Sequence, residues 1–203
     1  MQLSSDFEDA LAYAARIHRK QRRKGADTPY VAHLLAVAAI ALEHGADENE
    51  AIAALLHDAV EDQGGQQRLA KIEKRFGDRV AAIVEGCSDT DVLPKPPWKE
   101  RKEAYIAHLR EAPYSVRLVV AADKLHNVRD VYANCQAPDI DFWSEFKGGR
   151  DGTLWYYREV ARALSDAAGP EEVRLNDLID ELDQAVGWLE RLVNEEDLPT
   201  PSR

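Results

Sequence analysis

Apolar residues recur along most of this chain with the spacing of amphipathic helices. The clearest example is the last long segment, whose apolar positions keep a period of about 3.6 residues; they are Leu175, Leu178, Ile179, Leu182, Val186, Leu189 and Val193. The alternation of apolar and polar positions that marks strands is almost missing from the sequence, and no internal repeat is visible. The pattern therefore predicts an all-α helical bundle with a C-terminal helical extension.

Cap and turn residues divide this pattern into helices. Gly45 follows an apolar-periodic segment and is predicted to be the glycine just beyond a helix C-terminus. Asp47 and Glu50 have the spacing of a capping box and are predicted to open a helix that runs through "ALLHDAVED", residues 54–62. Gly64 is expected to stop that helix.

The same signals suggest how the chain is organised. We expect one domain over residues 1–168, followed by a C-terminal helix and a frayed tail over residues 169–203 that pack on the same domain. The apolar stripe of that last helix needs a partner surface. The sequence leaves open whether it also forms the interface of a homo-oligomer.

Composition narrows the class of protein. The chain has 203 residues, of which 45% are hydrophobic, so it can bury a substantial core. Its net charge of −11 argues against binding a nucleic-acid polymer, which requires a basic face. Cys87 and Cys135 lack metal-type spacing and suggest free thiols in a reducing compartment. No apolar run approaches the ~20 residues of a membrane span, and no targeting peptide is expected, so a cytoplasmic location is predicted.

The segment "ALLHDAVED" combines an apolar run with a histidine and three carboxylates. On a continuous helix, His57 would lie next to Glu61, and Asp58 next to Asp62, because residues four apart are neighbours. Carboxylates near a helix C-terminus oppose the helix dipole by about 0.3–1 kcal/mol each. Two interpretations follow, a solvated helix end or a site that binds a cation.

Two distant residues favour the cation. Asp123 follows a strongly apolar run, and a buried carboxylate is costly unless it is paired or bound to metal. Lys124 is adjacent on the helix and is not expected to face it, whereas Asn127 lies one turn later on the same face. With His33, two imidazoles and two carboxylates become available, a set that suits Mn²⁺, Zn²⁺ or Fe²⁺. The candidate donors are His33, His57, Asp58 and Asp123.

Five sequence blocks carry a family resemblance; they are "RRKGADTPYVAH", "AALLHDAVED", "FGDRVAAIVEGCSD", "WKERKEAYIAHL" and "VVAADKLHNVRD". In this order they resemble the hydrolase domain of RelA/SpoT-type proteins and the small alarmone hydrolases, which belong to the HD superfamily of metal-dependent phosphohydrolases. The resemblance spans residues 7 to 165. It implies an all-helical HD domain that holds one Mn²⁺ through the four candidate donors, with Zn²⁺ or Fe²⁺ as alternatives.

The resemblance also implies an activity. Glu61 and Asp62 would position and activate the attacking water, and pyrophosphate would leave the ribose 3′ position of ppGpp or pppGpp to give GDP or GTP. No synthetase domain is expected after the hydrolase domain, so a stand-alone hydrolase with a nucleotide as its small-molecule partner is predicted. Two alternatives stay open: hydrolysis of another nucleotide, such as an adenine alarmone or the ribose phosphate of NADPH, and a catalytically silent nucleotide sensor.

Basic and aromatic residues are the candidate substrate contacts. Because the protein is acidic overall, a local basic cluster must bind an anionic substrate. By resemblance, Arg23 and Lys24 lie where the family contacts the nucleotide. Lys95 is a candidate for phosphate, Asn127 for ribose or base, and Tyr156 for packing against the nucleotide, although an ordinary core aromatic is an equally good interpretation of Tyr156.

Overall fold

The computed structural model describes residues 2–24, 26–90, 95–135 and 142–196, with side chains to 194. The frayed tail predicted for the C-terminus lies outside these residues. Within them the chain is helical, apart from turns and one isolated antiparallel bridge between Arg22 and Pro29. The predicted all-α class is therefore confirmed.

The helices follow one another with short connections. In chain order they are α1 (Ser5–Ile17), α2 (Val31–Glu43), α3 (Glu48–Leu56), α4 (Ala59–Gln63), α5 (Gly65–Phe76), α6 (Asp78–Cys87), α7 (Trp98–Leu109), α8 (Tyr114–Asn134), α9 (Gly149–Ala167) and α10 (Val173–Glu196). A 3-10 turn over Phe142–Glu145 precedes α9.

Local sequence signals define the start and end of these helices where they were expected. Asp47 accepts a hydrogen bond from the Glu50 backbone N–H at 3.0 Å, and the Glu50 carboxylate accepts one from the Asp47 N–H at 2.7 Å. This reciprocal capping box opens α3. Gly45 has φ +85° just after α2, in the left-handed region that glycine adopts without steric cost.

The expected single helix through residues 54–62 is wrong. The helical run stops at Leu56 and resumes at Ala59, so His57 and Asp58 form a turn between α3 and α4. The His57 ring contacts the Ala54 carbonyl at 2.9 Å through Nδ1. In a continuous helix that carbonyl would accept the N–H four residues later, so the side chain competes with the backbone ladder. Because of the break, His57 and Asp58 lie on a turn, where their side chains contact each other.

Helix α8 lies at the centre of the fold. It packs against α2, α3, α6, α9 and α10, and most of its length from Val116 to Val131 is buried. The apolar stripe of α10 is buried against α8 and α9. Arg117 of α8 adds a polar tie, because its guanidinium donates to both Glu172 oxygens at 2.7 and 2.8 Å and to the Ala167 carbonyl. The C-terminal helix is thus packed against the helix that carries Asp123.

The cysteines and the helix lengths bear on the predicted cellular setting. Cys87 and Cys135 do not form a disulfide with each other. Among the described residues, no helix combines the length and the apolar character needed to cross a bilayer.

The packing of α10 generates a stability prediction. We propose that α10 unfolds together with the rest of the domain, so Leu182→Ala should lower the free energy of unfolding by about 2–5 kcal/mol, because Leu182 is fully buried. Urea titration followed by circular dichroism should show one transition shifted as a whole. Leu35→Ala is the matched control, since Leu35 is 46% exposed and should change the free energy by less than about 1 kcal/mol. Equal shifts for the two variants, or a separate early transition, would contradict the proposal.

Candidate metal centre

Four side chains from three parts of the chain lie close together, because His33, His57 and Asp58 form one compact group of possible metal donors and Asp123 lies near both histidines. His33 comes from α2, His57 and Asp58 from the α3–α4 turn, and Asp123 from α8. His57 Nε2 lies 2.9 Å from Asp58 Oδ2 and 3.6 Å from Asp123 Oδ1. His33 Nε2 lies 3.2 Å from Asp123 Oδ1 and 3.6 Å from Asp58 Oδ2. The two histidine Nε2 atoms are 3.4 Å apart.

These spacings fit a divalent cation. Ligands about 2.1 Å from a metal, at angles between 90° and the tetrahedral value, lie roughly 3.0–3.4 Å from one another. The observed separations of 2.9–3.6 Å bracket that range. Two imidazole nitrogens and two carboxylate oxygens suit Mn²⁺, Zn²⁺ or Fe²⁺, and the absence of thiolate from this cluster distinguishes it from the common structural zinc sites.

Electrostatics at the cluster also favour a cation. Burial alone would lower the pKa of His57, but the charges of Asp58 and Asp123 raise it well above its ordinary value. Burial opposes ionisation of the two carboxyl groups, yet His57 holds the pKa of Asp58 well below its usual range, and Lys124 does the same for Asp123. A point that stabilises a proton between two carboxylates also stabilises a metal ion.

Each carboxylate has its own further partner. The Tyr30 hydroxyl donates to Asp58 Oδ2 at 2.5 Å. Asn127 donates to Asp123 Oδ1, as the shared helix face predicted. The expectation that Lys124 would not reach Asp123 is wrong, because its Nζ lies 2.6 Å from Asp123 Oδ2. A lysine side chain is long enough to fold back on its neighbour, and the ion pair offsets the cost of burying the carboxylate.

The two residues predicted to activate water lie on α4, directly after the turn that carries His57 and Asp58, and only Glu61 lines the adjacent cleft. Glu61 accepts a hydrogen bond from Lys95 Nζ at 2.8 Å. Asp62 accepts one from Gln21 Nε2 at 2.7 Å. Partial desolvation, together with the negative charge of Asp58, raises the pKa of Asp62 to about 6. A carboxylate in that range is suited to exchange protons near neutral pH.

A cleft of about 310 Å³ opens beside the cluster, within the size range of small-molecule sites. Its cationic lining residues are Arg23, Lys24, Lys95, Arg101, Lys102, Lys124 and Lys147. Its acidic lining residues are Asp58, Glu61, Asp123 and Asp130. Seven cations against four acids make the cleft locally positive in an acidic protein, so it is suited to an anionic ligand.

All five predicted substrate contacts line this cleft. Arg23 donates to Asn127 at 2.9 Å and to Asp130 at 2.8 Å. Lys24 lies 5.3 Å from the centre of the Phe146 ring. Burial and the nearby positive charge of Lys102 lower the pKa of Lys24. The contacts of Lys95, Asn127 and Arg23 show that they are already held in place by protein groups.

Tyr156 is both a core residue and a cleft residue. Its side chain is buried, with 6% of the residue exposed, and it also lines the cleft. Its hydroxyl has no hydrogen-bond partner among the described residues. The two interpretations drawn from the sequence are therefore compatible, because the side chain packs in the core and also forms part of the cleft wall.

Other cleft residues were missed by the sequence analysis. Arg101 and Lys102 both bind the buried carboxylate of Asp89, Lys102 at 2.8 Å. The "WKERK" run at 98–102 was a visible signal, although it does not show which cations face inward. Phe142 and Phe146 bring aromatic surface to the cleft from the segment before α9, and their sequence neighbourhood carries no regular pattern.

The fold and the site together define a class, that of all-α proteins with a His-His-Asp-Asp cluster suited to a divalent metal. The HD domain family matches residues 10–147, and the chain belongs to that family.

Individual relatives narrow the comparison. The guanosine-3′,5′-bis(diphosphate) 3′-pyrophosphohydrolase MESH1 of Drosophila melanogaster is 39% identical over 178 residues, which cover 86% of this chain and 93% of the relative. The human protein of the same name is 40% identical over 143 residues, or 68% of this chain and 74% of the relative. A solved structure described as a metazoan ortholog of SpoT that hydrolyses ppGpp superposes with a TM-score of 0.70 at 32% identity, covering 89% of this chain and 97% of the other.

The ligand set generates a binding prediction. We propose that His33, His57, Asp58 and Asp123 hold the metal, so His57→Ala and Asp123→Ala should each weaken Mn²⁺ binding by more than about a hundredfold, exceeding the roughly 10–100-fold cost of losing an outer partner. Titration calorimetry on metal-stripped protein measures this directly. His108→Ala, at an exposed position, is the control and should bind as the parent does. Stoichiometric, parent-like Mn²⁺ binding by folded His57→Ala would refute the ligand set.

Proposed function

We propose that this protein is a hydrolase that removes pyrophosphate from the 3′ position of ppGpp and pppGpp, giving GDP and GTP. The observation that carries the proposal is the joining of a two-histidine, two-carboxylate cluster to a cleft lined by seven cations. Such a cleft suits a ligand that bears several phosphate groups. Relatives that match most of their own length with this chain carry the same activity in their names.

The metal in this proposal is Mn²⁺, held by the four clustered side chains, with Zn²⁺ and Fe²⁺ as the alternatives that the same donors would accept. When bound, a divalent cation offsets negative charge on phosphoryl oxygens and makes water easier to deprotonate at neutral pH. The protein's own contribution is to fix the donors in place. His57 is buried to 97% and Asp123 to 95%, so neither side chain has room to turn away.

The cleft side chains orient the substrate in this mechanism. Arg23, Lys24 and Lys95 would contact phosphate oxygens, because each is a cation on the cleft wall. Asn127 and Tyr156 would contact the nucleoside. Arg23 is held by Asn127 and Asp130 before any ligand arrives, so part of the ordering cost of binding is already met.

We assign proton transfer to two carboxylates of α4, those of Glu61 and Asp62. The oxygen of a water molecule adds to the phosphorus next to the ribose, the bond from that phosphorus to the 3′-oxygen breaks, and the 3′-oxygen takes up a proton. Glu61 would accept the proton that the water loses, since it lies on the cleft wall and is oriented by Lys95. Asp62, with a pKa of about 6, would orient the water or relay the proton.

A nucleotide panel tests the activity. With Mn²⁺ present, purified protein should convert ppGpp to GDP and pyrophosphate in equal amounts, as measured by anion-exchange chromatography. EDTA should abolish turnover and added Mn²⁺ should restore it. The panel also contains an adenine alarmone and NADPH, so turnover of either with ppGpp untouched would overturn the proposal. Tight ppGpp binding without turnover, in the parent and in Asp58→Ala alike, would indicate a silent sensor.

The role of Glu61 generates a separate kinetic prediction. Glu61→Gln should bind Mn²⁺ like the parent, because Glu61 is outside the donor cluster, while kcat falls by about 10²–10⁴. Glu103→Gln is the matched control, since Glu103 is an exposed partner of Lys99 on α7 and should keep the parent kcat. A near-normal kcat for Glu61→Gln would exclude it as the proton acceptor.

A further inference from the structure

The outer nitrogens of the two clustered histidines are held in different ways. His57 Nδ1 lies 2.9 Å from the Ala54 carbonyl oxygen, a backbone acceptor that no side-chain substitution removes. His33 Nδ1 lies 2.9 Å from Nδ1 of another histidine, His126 on α8. Neither the candidate donors nor the candidate substrate contacts include His126.

The position of one proton follows from this geometry. His33 Nε2 faces Asp123, Asp58 and the other histidine at 3.2–3.6 Å, so it is the nitrogen that would donate a lone pair to a metal. The proton of a neutral His33 ring must then sit on Nδ1. Since only one proton fits between two nitrogens 2.9 Å apart, His33 donates and His126 Nδ1 accepts.

We propose that His126 is a positioning residue for the metal centre, which fixes the tautomer and the ring orientation of His33 by accepting its Nδ1–H. The inference rests on the metal role proposed for His33, but it does not depend on which nucleotide is hydrolysed.

The location of His126 supports this role. It lies three residues after Asp123, on the same face of α8, so one rigid helix carries a candidate metal ligand and the group that orients another. The His33 and His126 rings pack with centroids 4.9 Å apart at 51°. His33 is only 1% exposed, so water has little access to replace the lost acceptor, and a buried N–H without a partner is costly.

Two substitutions separate hydrogen bonding from packing. His126→Leu keeps the bulk of the side chain but cannot accept a hydrogen bond. His126→Asn can place its amide oxygen at the position of Nδ1, since both atoms are bonded to Cγ, and can therefore still accept. We expect the Leu variant to bind Mn²⁺ about 10–100-fold more weakly than the parent, and the Asn variant to recover most of that loss. Titration calorimetry of metal-stripped protein gives both affinities without any substrate.

Control measurements make the outcome decisive. His44→Leu removes a histidine whose Nδ1 also contacts a carbonyl, that of Ile40, but which lies outside the cluster, so its Mn²⁺ affinity should equal the parent's. Thermal unfolding of all variants shows whether a loss of affinity only follows a loss of stability. Parent-like affinity in His126→Leu, or equal weakening in the Leu and Asn variants, would overturn the proposal.

A spectroscopic test keeps the proposal falsifiable if His126→Leu does not fold. In the Zn²⁺-loaded parent protein, long-range ¹H–¹⁵N spectra of histidine rings report which nitrogen of His33 is protonated. The expected result is a proton on His33 Nδ1 and an unprotonated Nδ1 on His126. A proton on His126 Nδ1 would overturn the proposal. Failure of ppGpp turnover would leave both tests unaffected, so the two proposals can fail separately.

Discussion

A carboxylate buried on the central helix of this protein requires positive charge beside it, and this requirement organises the structure. Asp123 is 95% buried in the central helix, and Asp58 lies on the α3–α4 turn beside the same two histidines. Leaving such groups uncompensated would be expensive, and removing a partner would be more so. Lys124 meets part of the demand by folding back on Asp123. The remaining need for positive charge lies where His33 and His57 face the carboxylates, which is the candidate metal site.

Helix α8 contributes both to the stability of the domain and to the positions of the candidate metal donors. The helix that carries Asp123 also packs against α2, which carries His33, and against α3, at whose end His57 lies. Its other side is covered by α10, and Arg117 ties it to the connection before α10. Precise spacing of donors at 2.9–3.6 Å therefore depends on the same packed core that keeps the domain folded. The net charge of −11 is compatible with an anion-binding cleft because seven cations line that cleft.

Sequence reasoning succeeded where an interaction is local or periodic. The capping box at Asp47 and Glu50, the glycine after α2 and the apolar stripe of α10 each depend on residues a few positions apart, and each appears as predicted. It failed at the break between Leu56 and Ala59, because helix propensity does not reveal that the His57 side chain will take a backbone carbonyl. It also failed for Lys124, where a rule about helix faces ignored the reach of a long side chain into a buried site.

By itself, the sequence determined the helical class, the four candidate donors and the expectation of an anionic substrate, because periodicity, residue type and a five-block resemblance are all properties of the chain. Only the tertiary structure decided which atoms meet. It brought His33, His57 and Asp123 within 3.2–3.6 Å of one another across 90 residues of sequence. It also placed His126 Nδ1 next to His33 Nδ1, and it brought Arg101 and Lys102 to the lining of the cleft. These contacts arise from how α2, α3, α7 and α8 pack, and packing depends on the whole core rather than on any local pattern.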